Sequence, residues 1–111
     1  MDNNNYSQSI SMDKVFSIDE LKYYLAPVFR GHNVNRAVVF GSYGRGNATS
    51  KSDVDILVDS GLKGLNFVGL IEDIRESLNG KEVDVFDISH VNIGSLVEQE
   101  IQNTGIEIYA K

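Results

Sequence analysis

The sequence predicts an α/β (α+β) domain, a mixed sheet of about four strands with helices packed on it, and three observations carry that prediction. An apolar run, Ala37-Val38-Val39-Phe40, stops at Gly41-Ser42, as a buried strand does when it enters a tight turn. Further on, Asp53, Asp55, Leu57 and Asp59 alternate with Val54, Ile56 and Val58, the period of a second strand. Before, between and after these strands lie stretches with apolar residues at helical spacing, and Glu82 to Asp87 reads as a third strand.

Taken in order, residues 1 to 14 are polar and Asn/Ser-rich and read as a flexible arm, a partner-binding role being the alternative; 15–111 read as one domain. Ser17-Ile18-Asp19-Glu20 is a capping box with Phe16 and Leu21 placed as a hydrophobic staple, so a helix starts at Ile18. Its inward stripe is Leu21, Tyr24, Leu25 and Val28, and Pro27 is expected to kink the last turn or end the helix near Ala26. Asn47 to Ser52 is a polar loop. A helix is expected from about Asn66 to Leu78, with Phe67, Leu70, Ile71, Ile74 and Leu78 inward and Asn79-Gly80 as its stop. After a connector from Ile88 to Asn92, a helix is expected from Ile93 to about Asn103, and Ile106 to Tyr109 forms a last short strand. There is no internal repeat and no sign of a second domain.

Composition narrows the function. One hundred and eleven residues allow a real core but no second acceptor-binding domain. Ten Lys and Arg against sixteen Asp and Glu give a net charge of −6 with no basic stripe. Nucleic-acid binding draws its affinity from cations that neutralise phosphates, so direct RNA or DNA binding is not expected and a basic protein partner suits the chain better. The absence of cysteine removes disulfides, thiol nucleophiles and thiolate metal sites. The N-terminal residues have no signal-like apolar core, no apolar run is long enough to cross a membrane, and the cytoplasm is the expected compartment.

The chemistry sits in Val38 to Asp59. On a strand Asp53 and Asp55 project from one face, and two neighbouring carboxylates repel each other unless a cation lies between them. Magnesium fits, because it takes hard oxygen ligands and is usually held by one or two carboxylates together with a substrate's phosphates. The preceding turn supplies a phosphate half: Gly41 allows close backbone approach, Ser42 offers a hydroxyl and an N–H, and a helix starting there would aim its positive end at an anion. Other phosphate and metal motifs fail. Asn47 and Ala48 stand where a P-loop needs Lys and Ser/Thr, and Leu57 and Val58 stand where an EF-hand needs an oxygen ligand and Gly.

The pattern Gly41-Ser42-Tyr43-Gly44-Arg45-Gly46, six residues, then Asp53-Val54-Asp55 resembles the signature of the DNA polymerase β-like nucleotidyltransferase superfamily. The likeness is greatest to its minimal nucleotidyltransferase (MNT) group, often paired with HEPN-domain toxins, and it spans about residues 18 to 110. It implies the nucleotidyltransferase fold and a third carboxylate, matched by Asp84 in Lys81-Glu82-Val83-Asp84-Val85-Phe86-Asp87. Gly44 departs from the pattern, standing where the group usually has Ala. Gly is a poorer helix former by about 1 kcal/mol, so a looser turn is expected there.

The resemblance implies two magnesium ions on Asp53, Asp55 and Asp84, ATP gripped by Gly41 and Ser42, and AMP transferred to a hydroxyl of a HEPN-domain toxin. Asp84 would help to deprotonate that hydroxyl, and the chain would be the antitoxin, in a homo- or hetero-oligomer. Two other readings stand beside this one: a non-catalytic antitoxin acting by docking alone, and a nucleotidyltransferase for small molecules. Arg45 reads as a cation on the triphosphate or a solvated turn residue. Ser52 reads as a nucleotide contact or, with Lys51, as loop. Asp59 reads as a strand-end residue, and Asp87 is out of phase with Asp84. His32 and His90 read as surface histidines without partners, and Tyr43 as a base-stacking or exposed turn residue.

Overall fold

In the computed structural model, which describes residues 14 to 111, the capping box forms: Glu20 N–H donates to Ser17 Oγ at 3.0 Å and Ser17 N–H to Glu20 Oε1 at 2.9 Å. The helix it starts, α1, runs from Ile18 to Gly31 and does not end at Pro27. Proline there removes only the bond to the Tyr23 carbonyl, and both Pro27 and Tyr23 face solvent, so water can take the orphaned oxygen. The buried stripe is Leu21, Leu25 and Phe29 rather than one that includes Tyr24, which is 40% exposed and meets Phe16 edge-on. The proposed N-terminal arm lies outside the described residues except for Lys14, whose ammonium pairs with Glu20 at 2.7 Å.

The remaining elements follow as β1 (Arg36–Phe40), a single helical turn α2 (Ser42–Arg45), β2 (Val54–Asp59), α3 (Gly64–Ser77), β3 (Val83–Asp87), a 3-10 turn (Ile88–His90), α4 (Leu96–Thr104) and β4 (Ile106–Ala110). The strands form one sheet in the order β3-β2-β1-β4. β1 pairs antiparallel with β2 and β4, while β2 and β3 pair in parallel, with α3 as the crossover that parallel neighbours require. Asn79 and Gly80, both at positive φ, end α3 where the sequence places its stop.

Alternation gives the sheet two different faces. Ala37, Val39, Val54, Ile56, Val58 and Val83 pack under Leu21, Leu25 and Phe29 of α1 and Leu70 and Ile74 of α3 to form the main core. On the opposite face Val38, Phe40 and Leu57 make a smaller cluster with Phe86, Val91 and the α4 residues Val97 and Ile101. Asp55 and Asp84 share that second face, Asp55 beside a cleft lined by Leu96, Val97 and Glu100 of α4.

Three local expectations are corrected. The last helix starts at Leu96, not Ile93, because Ser95 is its N-cap: Ser95 Oγ accepts from Glu98 N–H at 3.1 Å, and Glu98 reaches back to Gly94 N–H at 2.7 Å. His32 has a partner after all, its Nε2 lying 2.7 Å from Asp73 Oδ2 and tying the end of α1 to α3. Tyr43 neither lies exposed nor faces a ligand; it is buried in the main core with Phe16 and anchors α2 from below.

Candidate active site

Asp55 is the centre of the site, and strand register puts it there. It stands opposite Phe40 across the antiparallel β1–β2 pair and beside Asp84 across the parallel β2–β3 pair. Gly41 follows Phe40 directly, so the glycine turn and both strand carboxylates converge on one point. A Cβ added to Gly41 would overlap the Asp55 carboxylate, and Gly41 has φ 73° and ψ −143°, a conformation essentially restricted to glycine. Two independent constraints therefore require glycine at that position.

Asp55 is half-buried, and its pKa is pushed up to about 6. Burial is the main cause, followed by the charges of Asp84 and Asp53, a hydrogen bond with Asp84, and the charge of Glu100. Asp53 and Asp84 are exposed beside it. Among the described residues no three acidic or histidine side chains are gathered closely enough to hold a metal ion by themselves. What is formed is an Asp55–Asp84 pair with Asp53 on the rim, carrying more negative charge than the space tolerates. This all-oxygen set fits magnesium, which needs only one or two protein carboxylates and completes its shell with water and phosphate.

In the turn, the N–H groups of Ser42, Tyr43 and Gly44 precede the first intrahelical bond, Arg45 N–H to Gly41 O at 2.9 Å. Among the described residues the Ser42 hydroxyl is engaged in no hydrogen bond. The Gly41 N–H, in contrast, is already taken by Thr104 Oγ1 at 2.8 Å, so Gly41 serves the site through its missing side chain. Arg45 Nη1 pairs with Glu100 Oε1 at 2.8 Å at the rim. Ser52 Oγ accepts from Thr49 N–H at 2.9 Å and shapes the loop before Asp53.

Sequence reasoning did not foresee Thr104, Glu100 or Lys81 as parts of this region. Glu100 stands beside Asp55 in a cleft of about 220 Å³ also lined by Phe40, Phe86, Leu96 and Val97. A carboxylate within the apolar stripe of α4 was the available signal. Lys81 is almost fully buried below Asp53 and donates to the Ser50 carbonyl at 2.9 Å, fastening the same loop. A larger cleft of about 480 Å³, lined by Leu62, Lys63, Phe67, Asp87 and His90, includes none of Asp53, Asp55 and Asp84. Asp87 faces the other side of the sheet, as its phase predicts. Burial would raise its pKa, but hydrogen bonds from Ser60 and Ser89 outweigh that and hold it down at about 2.

A glycine turn set against paired strand carboxylates is the arrangement anticipated from the motif, and a family model described as "Polymerase beta, Nucleotidyltransferase" matches residues 24–111. The chain belongs to the polymerase beta nucleotidyltransferase family. A Methanocaldococcus jannaschii protein carrying the name "Putative protein adenylyltransferase" is 37% identical to this nucleotidyltransferase domain over 94 residues, which cover 83% of this chain and 98% of the relative. Among solved structures, a chain of a toxin-antitoxin complex crystallised with AMP-PNP matches with a TM-score of 0.68 and 20% identity, over 81% of this chain and 73% of that one. A chain of a complex of tri-AMPylated Shewanella oneidensis HEPN toxin with MNT antitoxin matches with a TM-score of 0.63 and 17% identity, over 85% and 73% of the two chains. These structural likenesses establish the nucleotidyltransferase fold, with its four-stranded mixed sheet and flanking helices. No helix among the described residues is long and apolar enough to cross a membrane.

Proposed function

We propose that this nucleotidyltransferase transfers AMP from ATP to a hydroxyl of a partner protein. The observation that carries the reading is the convergence of Gly41-Ser42 with Asp55 and Asp84 at one end of the sheet. In this reading Asp53, Asp55 and Asp84 hold magnesium and share it with the triphosphate. Bound there, magnesium would neutralise the charge that builds up on the entering and leaving oxygens.

The chain's own residues do the rest. The open N–H groups of the turn and the Ser42 hydroxyl take phosphate oxygens, and the missing Gly41 side chain lets them come close to Asp55. Asp84 takes the proton of the acceptor hydroxyl, whose oxygen forms a bond to the α-phosphorus while the bond to the β-phosphate oxygen breaks and pyrophosphate leaves. Positioning provides much of the acceleration. Arg45, now paired with Glu100, would turn to the triphosphate when it arrives, and Ser52 acts by shaping the loop that carries Asp53.

The partner reading rests on the relatives. A solved neighbour pairs an MNT antitoxin with an AMPylated HEPN toxin, so a HEPN-domain toxin is the proposed acceptor and this chain the antitoxin, working in the cytoplasm. A net charge of −6 suits an acceptor that arrives as a folded, basic partner. Incubation with α-labelled ATP and magnesium in lysate of the source cells, beside an Asp53→Asn/Asp55→Asn control, tests the reading. Label on one protein band with the intact site only is the expected result. Capture of a partner by both versions without any transfer would replace it with a docking-only antitoxin.

A further inference from the structure

Three of the six residues in the phosphate turn are tied to one distant element, the last turns of α4. The Gly41 N–H donates to Thr104 Oγ1 at 2.8 Å. Gly44 lies so close to the Thr104 main chain that a Cβ there would overlap the Thr104 carbonyl oxygen. Arg45 pairs with Glu100, one turn earlier on α4. Thr104 is held in turn by its own hydroxyl, which donates to the Glu100 carbonyl at 2.6 Å. The hydroxyl therefore works in both directions, giving its proton to the helix and accepting one from the turn, an arrangement that fixes its rotamer.

These contacts explain the one departure from the resembled motif. Glycine at 44 would leave an isolated turn looser. Here it admits the Thr104 carbonyl instead, so the turn is clamped from outside. A single helical turn has almost no stability of its own, and this one hangs between a positive-φ glycine on each side. Its shape must come from its neighbours: Tyr43 in the core below and Thr104 on the outer side.

We propose that Thr104 is the positioning residue of the phosphate turn, holding Gly41 to Arg45 in the shape that receives the nucleotide. The proposal rests on the nucleotidyl-transfer reading for its consequence, since the turn matters only if it grips phosphate. α4 also forms the wall of the cleft beside Asp55 through Leu96, Val97 and Glu100, so one helix carries both the clamp on the phosphate side and the surface facing the opposite side of the carboxylates. A shift of α4 would be felt at the turn.

The test compares Thr104→Val, which keeps the shape and removes the hydroxyl, with Thr104→Ser, which keeps the hydroxyl. Amide exchange of residues 41–46 is followed by NMR, and magnesium-ATP affinity by titration calorimetry. Thr104→Val is expected to speed exchange at Gly41 and to weaken ATP binding about five- to tenfold, the equivalent of one net hydrogen bond. The loss falls on KM and leaves kcat at saturating ATP nearly unchanged, and Thr104→Ser restores both affinity and protection. Gly44→Ala, which pushes the clamp off from the other side, should weaken ATP binding in the same way. Wild-type exchange and affinity in Thr104→Val, or equal damage in Thr104→Ser, would overturn the proposal. A wild-type protein that binds no ATP would defeat the nucleotide reading instead, and Gly41 exchange would still decide whether Thr104 clamps the turn.

Discussion

Asp55 and Asp87 lie on neighbouring strands but on opposite faces of the sheet, and their surroundings drive them in opposite directions. Asp87 is buried among donors from Ser60 and Ser89, which hold its pKa at about 2. Its charged form is favoured by folding, so its contribution is present above the unfolded value near pH 4 and is lost as pH falls toward 2. Asp87→Ala should destabilise the fold by about 2–3 kcal/mol at pH 7, measured by urea titration, because four donors lose their acceptor. Asp55, with a pKa of about 6, is disfavoured as a charge in the folded chain. Its cost is fully present above pH 6 and gone below about pH 4. Asp55→Asn is therefore expected to raise the melting temperature of the magnesium-free protein at pH 7.5, by the equivalent of about 1–2 kcal/mol after allowance for solvent screening. That gain should vanish at pH 4, and magnesium should stabilise the wild type but not the variant. A variant that melts below the wild type at pH 7.5 would mean that Asp55 is an ordinary structural residue.

At the scale of elements, legibility followed how local the determining chemistry was. The start of α1 could be read because a capping box involves only four consecutive residues. Pro27 does not end α1 near Ala26, because its effect depends on whether the Tyr23 carbonyl can reach water, which the fold decides. α4 starts three residues later than its stripe suggests: Ile93 and Leu96 both suit a helical stripe, and Ser95 with Glu98, a local signal of the same type as that at Ser17, decides between them. Ser95→Ala should therefore fray the first turn of α4 at a cost of about 1 kcal/mol, seen as faster amide exchange at Leu96 to Glu98. An unchanged exchange rate there would show that packing alone holds that end. Tyr43 was out of reach, since nothing local says that a turn residue points into the core.

For the whole molecule, the strand positions of Asp55 and Asp84 were legible from alternation and motif, Asp53 lies one residue ahead of β2, and the meeting of the carboxylates was implied by the resemblance rather than by any local pattern. Asp55 faces Asp84 only because β2 and β3 run parallel in a particular register, and it meets Gly41 only because β1 and β2 run antiparallel with Phe40 opposite. Tertiary pairing of this sort is written across the main core, not in a short stretch of chain. The contribution of α4 to the site was hidden for the same reason, as Glu100 and Thr104 lie more than fifty residues beyond the turn they contact. Net charge was legible at once, and at −6 it predicts no measurable RNA binding by the isolated chain at physiological salt in a filter-binding assay.

Nucleotidyl transfer is tested most directly by following two labels at once. The protein and its acceptor are incubated with magnesium and ATP labelled at the α-phosphate in one sample and the γ-phosphate in another. Label from the α position on the acceptor, with γ label released in pyrophosphate, is the predicted result. Label from the γ position on the acceptor would mean phosphoryl transfer, and it would contradict the account.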